Sequence, residues 1–213
     1  MTNEERPQHQ ATARSRTVAT TVLMVATFMD LMDSTITNVA LPTIGKDLHA
    51  TPEQLEWTLA GYVIAFATLL ITGGRLGDIF GHRRIFVIGM VGFTLASLGA
   101  ALSQTGDLLV ATRVIQGAFA GIMVPQVLSS VQVMFAPEER APVLGIIGAL
   151  SSLGAIGGLI LGGWLVTADL LGMGWRSIFL VNVPVGVVLV AAALLFVPRS
   201  RSEHPLRPDL VGV

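Results

Sequence analysis

The chain has 213 residues, of which 52% are hydrophobic and 13% are charged, and its formal net charge is −1. A soluble domain averages about 25% charged residues, so this composition is that of a protein built for lipid. The near-neutral balance gives no basic surface for nucleic acid, and the absence of cysteine from the sequence excludes disulfides and thiolate metal sites.

Six apolar runs follow one another, and each has the length of about 20 residues that a membrane-spanning helix needs. The polar residues 1–16 are predicted to form a disordered cytoplasmic N-terminus. Residues 198–213 are predicted to be a cytoplasmic linker leading into a further helix, so that the chain would be a fragment. Between them we predict an all-α membrane protein, a six-transmembrane-helix bundle over 17–197, with helices at 18–42, 55–74, 85–104, 107–134, 143–167 and 177–197.

The distribution of basic residues predicts the orientation of this bundle. If the N-terminus is cytoplasmic, the outside loops hold only Lys46 and Arg176. The inside segments then hold Arg6, Arg14, Arg16, Arg75, Arg83, Arg84, Arg140, Arg199, Arg201 and Arg207. Because basic residues concentrate in cytoplasmic loops, both termini are predicted to lie in the cytoplasm.

Three charged residues lie at bilayer depth within the predicted helices: Asp30 and Asp33 in the first, and Arg113 in the fourth. Such groups cost at least ~2.5–3.5 kcal/mol each at bilayer depth, so they mark functional sites. Asp30 and Asp33 are three residues apart and share a helix face. At a rise of ~1.5 Å per residue, the arginine side chain reaches their depth, so we expect one arginine to face both carboxylates.

Proton coupling is the function that these three charges favour. Desolvation favours a neutral carboxyl group and a nearby arginine favours the carboxylate, so helix movement can change its protonation. We predict that Asp33 is the coupling residue and Asp30 a contact for protons or cations. The alternative is a static charge cluster that only fixes helix packing. The Gly45-Lys46 pair lacks the upstream glycine of a P-loop, so pumping would use an ion gradient or a partner, with no cofactor.

The short turn at 74–84 is rich in glycine and charge and lies between two predicted helices. We predict that it acts as a conformational latch, stabilising one of two states of the protein. The alternative is a turn that only obeys the positive-inside rule, which explains its arginines but not its aspartate. A histidine at position 82 is expected to be exposed and solvated. The latch residues are Gly74, Asp78, Gly81, Arg83 and Arg84.

Glycines also recur at helical spacing inside the predicted spans, at Gly117 and Gly121 and again along the fifth helix. Such strips let helix backbones approach closely in lipid. The packing motif of the fifth helix is predicted to consist of Gly154, Gly158, Gly162 and Gly163. The six helices divide into two groups of three that can be related as inverted repeats.

These motifs resemble those of a known family. The pattern of glycine, leucine, aspartate and arginine over 74–84 is similar to the loop between helices 2 and 3 of the major facilitator superfamily. The segments 31–42 and 175–186 resemble the helix 1 and helix 6 signatures of its fourteen-helix drug–proton antiporters. The segment 113–117 is similar to the helix 4 motif of proton-coupled members, in which the arginine is implicated in proton transfer.

The resemblance implies one half of a major facilitator fold, with a 3+3 inverted repeat, and specifically its N-terminal half. The sequence departs from the family pattern at one motif that bears on the direction of transport. The antiporter motif Gly-Pro-x-x-Gly-Gly reads Gly-Leu-Ile-Leu-Gly-Gly at 158–163. The missing proline removes an expected helix kink. The resemblance further implies efflux through the bacterial cell (inner) membrane, with the lipid bilayer, protons, and a missing C-terminal half or a second copy as partners.

Aromatic and polar residues within the helices suit a small hydrophobic or cationic substrate, through burial and cation–π attraction. The predicted substrate cavity contains Asn38, Trp57, Tyr62, Gln116 and Gln126. We therefore expect a proton-coupled antiporter that exports hydrophobic, cationic drugs. The alternatives are export of a metabolite or self-made antibiotic, and an inactive or assembly membrane fragment. An enzyme is not expected, because the sequence shows no nucleophile–base pattern and no metal-ligating cluster.

Overall fold

The computed structural model describes residues 13–168 and 172–198, with side chains from position 16 onward. Within these ranges the chain is built from helices joined by short connections. The sixth spanning segment, Gly174–Phe196, consists of a 3-10 turn and two α-helices with Val181 between them, and the backbone of Val181 keeps the helical angles φ −60° and ψ −29°. The elements are α1 (Ala13–Leu48), α2 (Pro52–Phe80), α3 (His82–Ala101), α4 (Gly106–Met134), α5 (Pro137–Ala168), the 3-10 turn (Gly174–Arg176), α6 (Ser177–Leu180) and α7 (Asn182–Phe196).

Six of these segments are long and apolar enough to cross a membrane, as the sequence predicts. The helices extend beyond their apolar parts, however. Helix α1 starts at Ala13 and runs through Pro42 to Leu48, and α2 continues to Phe80, where the prediction ends at 74. Hydropathy marks only the part of a helix in lipid, whereas a polar helix end still gains backbone hydrogen bonds by continuing. Of the predicted terminal segments 1–16 and 198–213, residues 1–12 and 199–213 lie outside the described residues, and residues 13–16 belong to α1.

Local sequence explains where two of the helices begin. The Thr51 side chain accepts a hydrogen bond from the Gln54 amide, and the Gln54 side chain accepts one from the Thr51 amide. With Pro52 in the first turn, this reciprocal cap satisfies backbone donors at the start of α2. Thr105 caps α4 with its side chain, which accepts a hydrogen bond from the amide of Leu108.

The closest helix pairs meet at glycines. A Cβ atom at Gly121 would lie 2.5 Å from the carbonyl oxygen of Phe66, so α4 touches the backbone of α2. Gly154 likewise faces the carbonyl oxygen of Phe28 on α1 at 2.8 Å. Further along α5, Gly158 faces the carbonyl oxygen of Met32 at 2.7 Å, and Gly162 faces Ile36 at 2.9 Å. Three of the four predicted packing glycines of α5 therefore lie against α1.

Gly163, the fourth, has nothing within 4 Å of the position that a Cβ atom would take, so it does not take part in this contact.

The pairing of helices also indicates the repeat. Helix α2 packs most extensively on α4, and α1 packs extensively on α5. If spanning segments 1, 2 and 3 are matched with segments 4, 5 and 6, the contact between the second and fourth segments corresponds to the contact between the fifth and first. This symmetry of the helix contacts is what the predicted 3+3 repeat requires.

The bundle has two ends, which we call the N-terminal face and the opposite face. The N-terminal face holds the start of α1, the α2–α3 junction, the α4–α5 junction and the end of α7. There Arg16 of α1 pairs with Glu139 of α5 at 2.8 Å. On the opposite face, Asp47 accepts hydrogen bonds from the indole of Trp175 at 2.9 Å and from Arg176 at 2.6 Å. These contacts fix the 3-10 turn on the end of α1.

Large apolar side chains cover the outside of the bundle. Ile71 is 74% exposed, Ile160 69% and Leu195 75%. Such a surface is stable in hydrocarbon and not in water. The chain is a multi-pass membrane protein.

A candidate proton-coupling site in the bundle interior

A buried ion pair joins α1 to α4. The guanidinium of Arg113 lies 2.5 Å from Oδ2 of Asp33, and the two side chains are 1% and 0% exposed. Arg113 also donates to Oε1 of Gln116 at 2.5 Å and, through Nε, to the carbonyl oxygen of Thr58 at 3.3 Å. A charge in hydrocarbon is tolerated only when it is paired and hydrogen-bonded, and Arg113 meets both conditions.

Two amides complete the surroundings of the Asp33 carboxylate. Its Oδ1 atom accepts from Nε2 of Gln116 at 3.0 Å and from Nδ2 of Asn182 at 2.6 Å. Both amides also reach the hydroxyl of Ser97 on α3, at 2.8 Å and 3.5 Å. The carboxylate of α1 therefore touches the fourth and sixth spanning segments directly and the third through one hydroxyl. Helix movement in this half of the fold would alter its hydrogen bonds.

Asp30 lies beside this ion pair but has a different partner. Its Oδ1 accepts a hydrogen bond from the hydroxyl of Tyr62 at 2.5 Å, and Asp30 is only 5% exposed. The guanidinium of Arg113 stacks on the Tyr62 ring, 4.2 Å from its centroid. Arg113 therefore lies near both carboxylates but forms its ion pair with Asp33, while Asp30 hydrogen-bonds to the tyrosine on which the guanidinium stacks.

Sequence reasoning did not identify two members of this site, Ser97 and Asn182, and it assigned Tyr62 and Gln116 to a substrate cavity. A hydroxyl or an amide in an apolar helix gives no periodic signal and is inexpensive to bury when it is paired. The one available signal was the motif at 175–186, which contains Asn182. The first two residues of this motif, Trp175 and Arg176, hydrogen-bond to Asp47, and Asn182 at the start of α7 hydrogen-bonds to Asp33.

The α2–α3 junction is tighter than the predicted turn, because a single residue separates the two helices. Gly81 adopts φ 97°, a conformation that favours glycine, and it ends α2 and precedes α3. His82 is 4% exposed, so the expectation of a solvated histidine is wrong. Its Nδ1 contacts Oε1 of Gln126 on α4 at 2.9 Å, and its Nε2 lies 3.5 Å from Oδ1 of Asp78. A Cβ atom at Gly77 would collide with both side chains of the contact between Gln126 and His82.

The remaining residues of the predicted latch lie around this junction on the N-terminal face. Arg83 donates to the carbonyl oxygen of Val197 at 3.2 Å, which ties the start of α3 to the end of α7. Arg84 is exposed. A Cβ atom at Gly74 would lie 3.9 Å from Pro125 of α4, the distance of an ordinary contact. Two side chains at the start of α3 thus hold the junction to other spanning segments: His82 contacts α4, and Arg83 contacts the end of α7.

The five residues predicted to line a substrate cavity do not share one surface. Trp57 is 53% exposed, and Asn38 is exposed and donates to the carbonyl oxygen of Ser34. Tyr62 and Gln116 are buried in the site around Asp33. Gln126 is 0% exposed and donates to backbone oxygens of α2 and α4, beside the α2–α3 junction. Within this chain the last three are interior groups.

Comparison with known proteins places this arrangement in a family. The family model of the Major Facilitator Superfamily matches residues 23–211. The chain belongs to the Major Facilitator Superfamily.

Among curated proteins, the chain is 44% identical over 200 residues to the probable actinorhodin transporter of Streptomyces coelicolor, covering 93% of this chain and 34% of that protein. It is 38% identical over 197 residues to the tetracenomycin C resistance and export protein of Streptomyces glaucescens, covering 92% of this chain and 35% of that protein. The chain therefore spans about a third of the length of these curated relatives.

Two solved structures resemble the bundle at low sequence identity. A bacterial homolog of the human lysosomal transporter Spinster, in an inward-facing and occupied conformation, has a TM-score of 0.77 at 19% identity and covers 88% of this chain and 46% of that one. The proton:xylose symporter XylE has a TM-score of 0.77 at 15% identity, with the same coverage. At these identities the likeness shows the fold alone, which is one half of a major facilitator transporter.

Proposed function

We propose that this chain forms the N-terminal half of a proton-coupled efflux transporter that exports hydrophobic compounds across a bacterial cell membrane. The observation that carries the proposal is the fully buried Asp33, which is held by one cation and two amides from two other spanning segments. A carboxyl group in this position exchanges a proton only when the helices around it move. Proton uptake and release can therefore be tied to the change between transporter states.

Asp33 is the proton carrier in this proposal, and Arg113 is the counter-charge. When Asp33 is ionised, the ion pair draws α1 and α4 together. When Asp33 binds a proton, the attraction is lost while Arg113 keeps its bonds to Gln116 and to the backbone of α2. Asp30, hydrogen-bonded to Tyr62, is the second acidic group, available to a proton or a cationic substrate. The alternative is a static cluster that only fixes packing, which would leave transport insensitive to a proton uncoupler.

The substrates of the relatives favour a particular class of cargo. One relative is named for actinorhodin and another for tetracenomycin C, and both names describe transport or export. This favours export of an antibiotic, either self-made or encountered, over import of a nutrient. A cationic substrate is suggested by the acidic Asp30, through ionic attraction.

Topology and partners complete the proposal. The N-terminal face, which carries Arg16, Arg83 and Arg84, is placed in the cytoplasm by the positive-inside rule. The junction at Gly81 is proposed as the latch on that side. The transport path would form between this half and a second one, which is either a C-terminal half or another copy of this chain.

The test is dye efflux from an efflux-deficient bacterium that expresses the 213-residue chain, with and without a proton uncoupler. We expect uncoupler-sensitive efflux when a partner half is available, either as a second copy or as a co-expressed C-terminal half from a relative. The matched pair of variants is Asp33→Asn, expected to abolish efflux, and Glu139→Gln at the N-terminal face, expected to retain it. Efflux that the uncoupler does not affect would contradict the proton coupling.

A further inference from the structure

The three described side chains that hydrogen-bond to the Asp33 carboxylate all do so as donors. Arg113 donates to Oδ2, and the amides of Gln116 and Asn182 donate to Oδ1. This arrangement suits the ionised carboxylate. A protonated carboxyl group carries an O–H that needs an acceptor, and burying it without one costs about 1–3 kcal/mol. Proton binding therefore requires at least one neighbour to present an acceptor.

Two of the three neighbours cannot do this without losing a bond. A guanidinium has no acceptor atom, so Arg113 is excluded. The amide of Gln116 is used at both ends: its Oε1 accepts from Arg113, and its Nε2 donates to Asp33 and Ser97. Turning that amide would place an N–H against the guanidinium, two donors facing each other.

Asn182 is in a different situation. Its Nδ2 lies 2.6 Å from Oδ1 of Asp33, but its own Oδ1 is buried and has no hydrogen-bond partner among the described residues. A half-turn of this amide breaks no bond to its oxygen. The turn brings the oxygen to the position of Nδ2, facing Asp33 and, at 3.5 Å, the hydroxyl of Ser97. A serine hydroxyl can donate as well as accept, so Ser97 is compatible with either orientation.

We propose that Asn182 is the positioning residue that turns its amide when Asp33 gains or loses the transported proton; this inference rests on the proposed proton coupling. In the ionised state Asn182 donates to Asp33. On protonation an O–H bond forms on Oδ1 of Asp33, the carboxylate charge is neutralised, and Arg113 keeps its own charge. The turned carbonyl of Asn182 accepts that O–H. Release of the proton reverses each change.

The position of Asn182 gives this turn a structural consequence. Asn182 is the first residue of α7 and directly follows Val181, the residue between α6 and α7. A change in its hydrogen bond to α1 therefore acts where these two helices of the sixth spanning segment meet. The protonation state of α1 is in this way passed to α6 and α7.

The direct test is infrared difference spectroscopy of the purified chain in lipid nanodiscs during a pH change. We expect the band of protonated Asp33 to appear together with a shift of one asparagine side-chain carbonyl band, identified by its loss in Asn182→Leu. Asp33→Asn should remove both changes. An Asp33 band with an unmoved asparagine band overturns the role of Asn182 while leaving proton coupling intact. Absence of any Asp33 band over the pH range overturns both.

Ser130→Ala, which alters another buried polar group without a partner among the described residues, is the matched control. It should leave both infrared bands as they are in the wild-type protein, whereas loss of the asparagine band change in Ser130→Ala would overturn its assignment to Asn182.

Discussion

Replacing Arg113 by methionine is expected to destabilise the bundle more than replacing both members of the buried ion pair. The two side chains are 1% and 0% exposed, so the single change leaves a carboxylate in the interior without its cation. Breaking a buried pair by removing one partner costs about 3–5 kcal/mol, whereas replacing both by apolar residues is often close to neutral. Arg113 also donates to Gln116 and to the backbone at Thr58. We therefore expect a loss near the upper limit, about 5 kcal/mol.

The assay is unfolding of the purified chain by a denaturing detergent, followed by far-ultraviolet circular dichroism. Four proteins form the cycle: wild type, Arg113→Met, Asp33→Leu and the double variant. We expect the double variant to be more stable than Arg113→Met, with a coupling energy of at least about 2 kcal/mol. Additive losses in the double variant would refute the reasoning, because they would mean that the two side chains stabilise the bundle independently.

Three further predictions concern the helix contacts. Gly158→Ala should lower the free energy of unfolding by about 1–3 kcal/mol, because its Cβ would lie 2.7 Å from a backbone oxygen of α1. Gly163→Ala should leave the stability unchanged, because a Cβ there would meet open space. Equal losses in the two variants would contradict this packing. His82→Leu should cost about 1–3 kcal/mol by leaving Oε1 of Gln126 buried and unpaired, and wild-type unfolding would contradict it. Asp47→Ala should speed tryptic cleavage at the 3-10 turn on the opposite face; unchanged digestion would show that this clamp is dispensable.

The number of spanning helices and the central ion pair could be predicted from the sequence for a shared physical reason. Apolar runs of sufficient length have few alternatives to crossing a membrane, and unpaired charges within them are costly. Asp33 and Arg113 are therefore recognisable as partners by their charge and their depth along the helices. The glycine spacing on α5 predicted a close helix contact, which Gly154 makes with α1, but the nearby Gly163 shows that glycine content alone does not identify the contacting face.

The details that sequence reasoning missed depend on which polar groups lie close together in three dimensions. Burying such groups costs little free energy when they are paired, so they leave no pattern in the sequence. Tyr62 contacts Arg113 with its ring and Asp30 with its hydroxyl, and nothing in the spacing of the charges indicates that an aromatic side chain joins the site. His82 is buried because α2 continues almost to it and α4 offers an amide at that level. Asn182 reaches Asp33 across 149 positions of the chain, a separation over which no periodicity gives information.

The central claim is that transport moves a proton through Asp33. The most direct measurement is proton release from the transporter in detergent, recorded with a pH indicator when a hydrophobic cationic dye is added. We predict release by the wild-type protein and by Glu139→Gln, and none by Asp33→Asn, although that variant still inserts and folds. Undiminished proton release by a folded Asp33→Asn protein would contradict the account, since the proton would then be carried by another group.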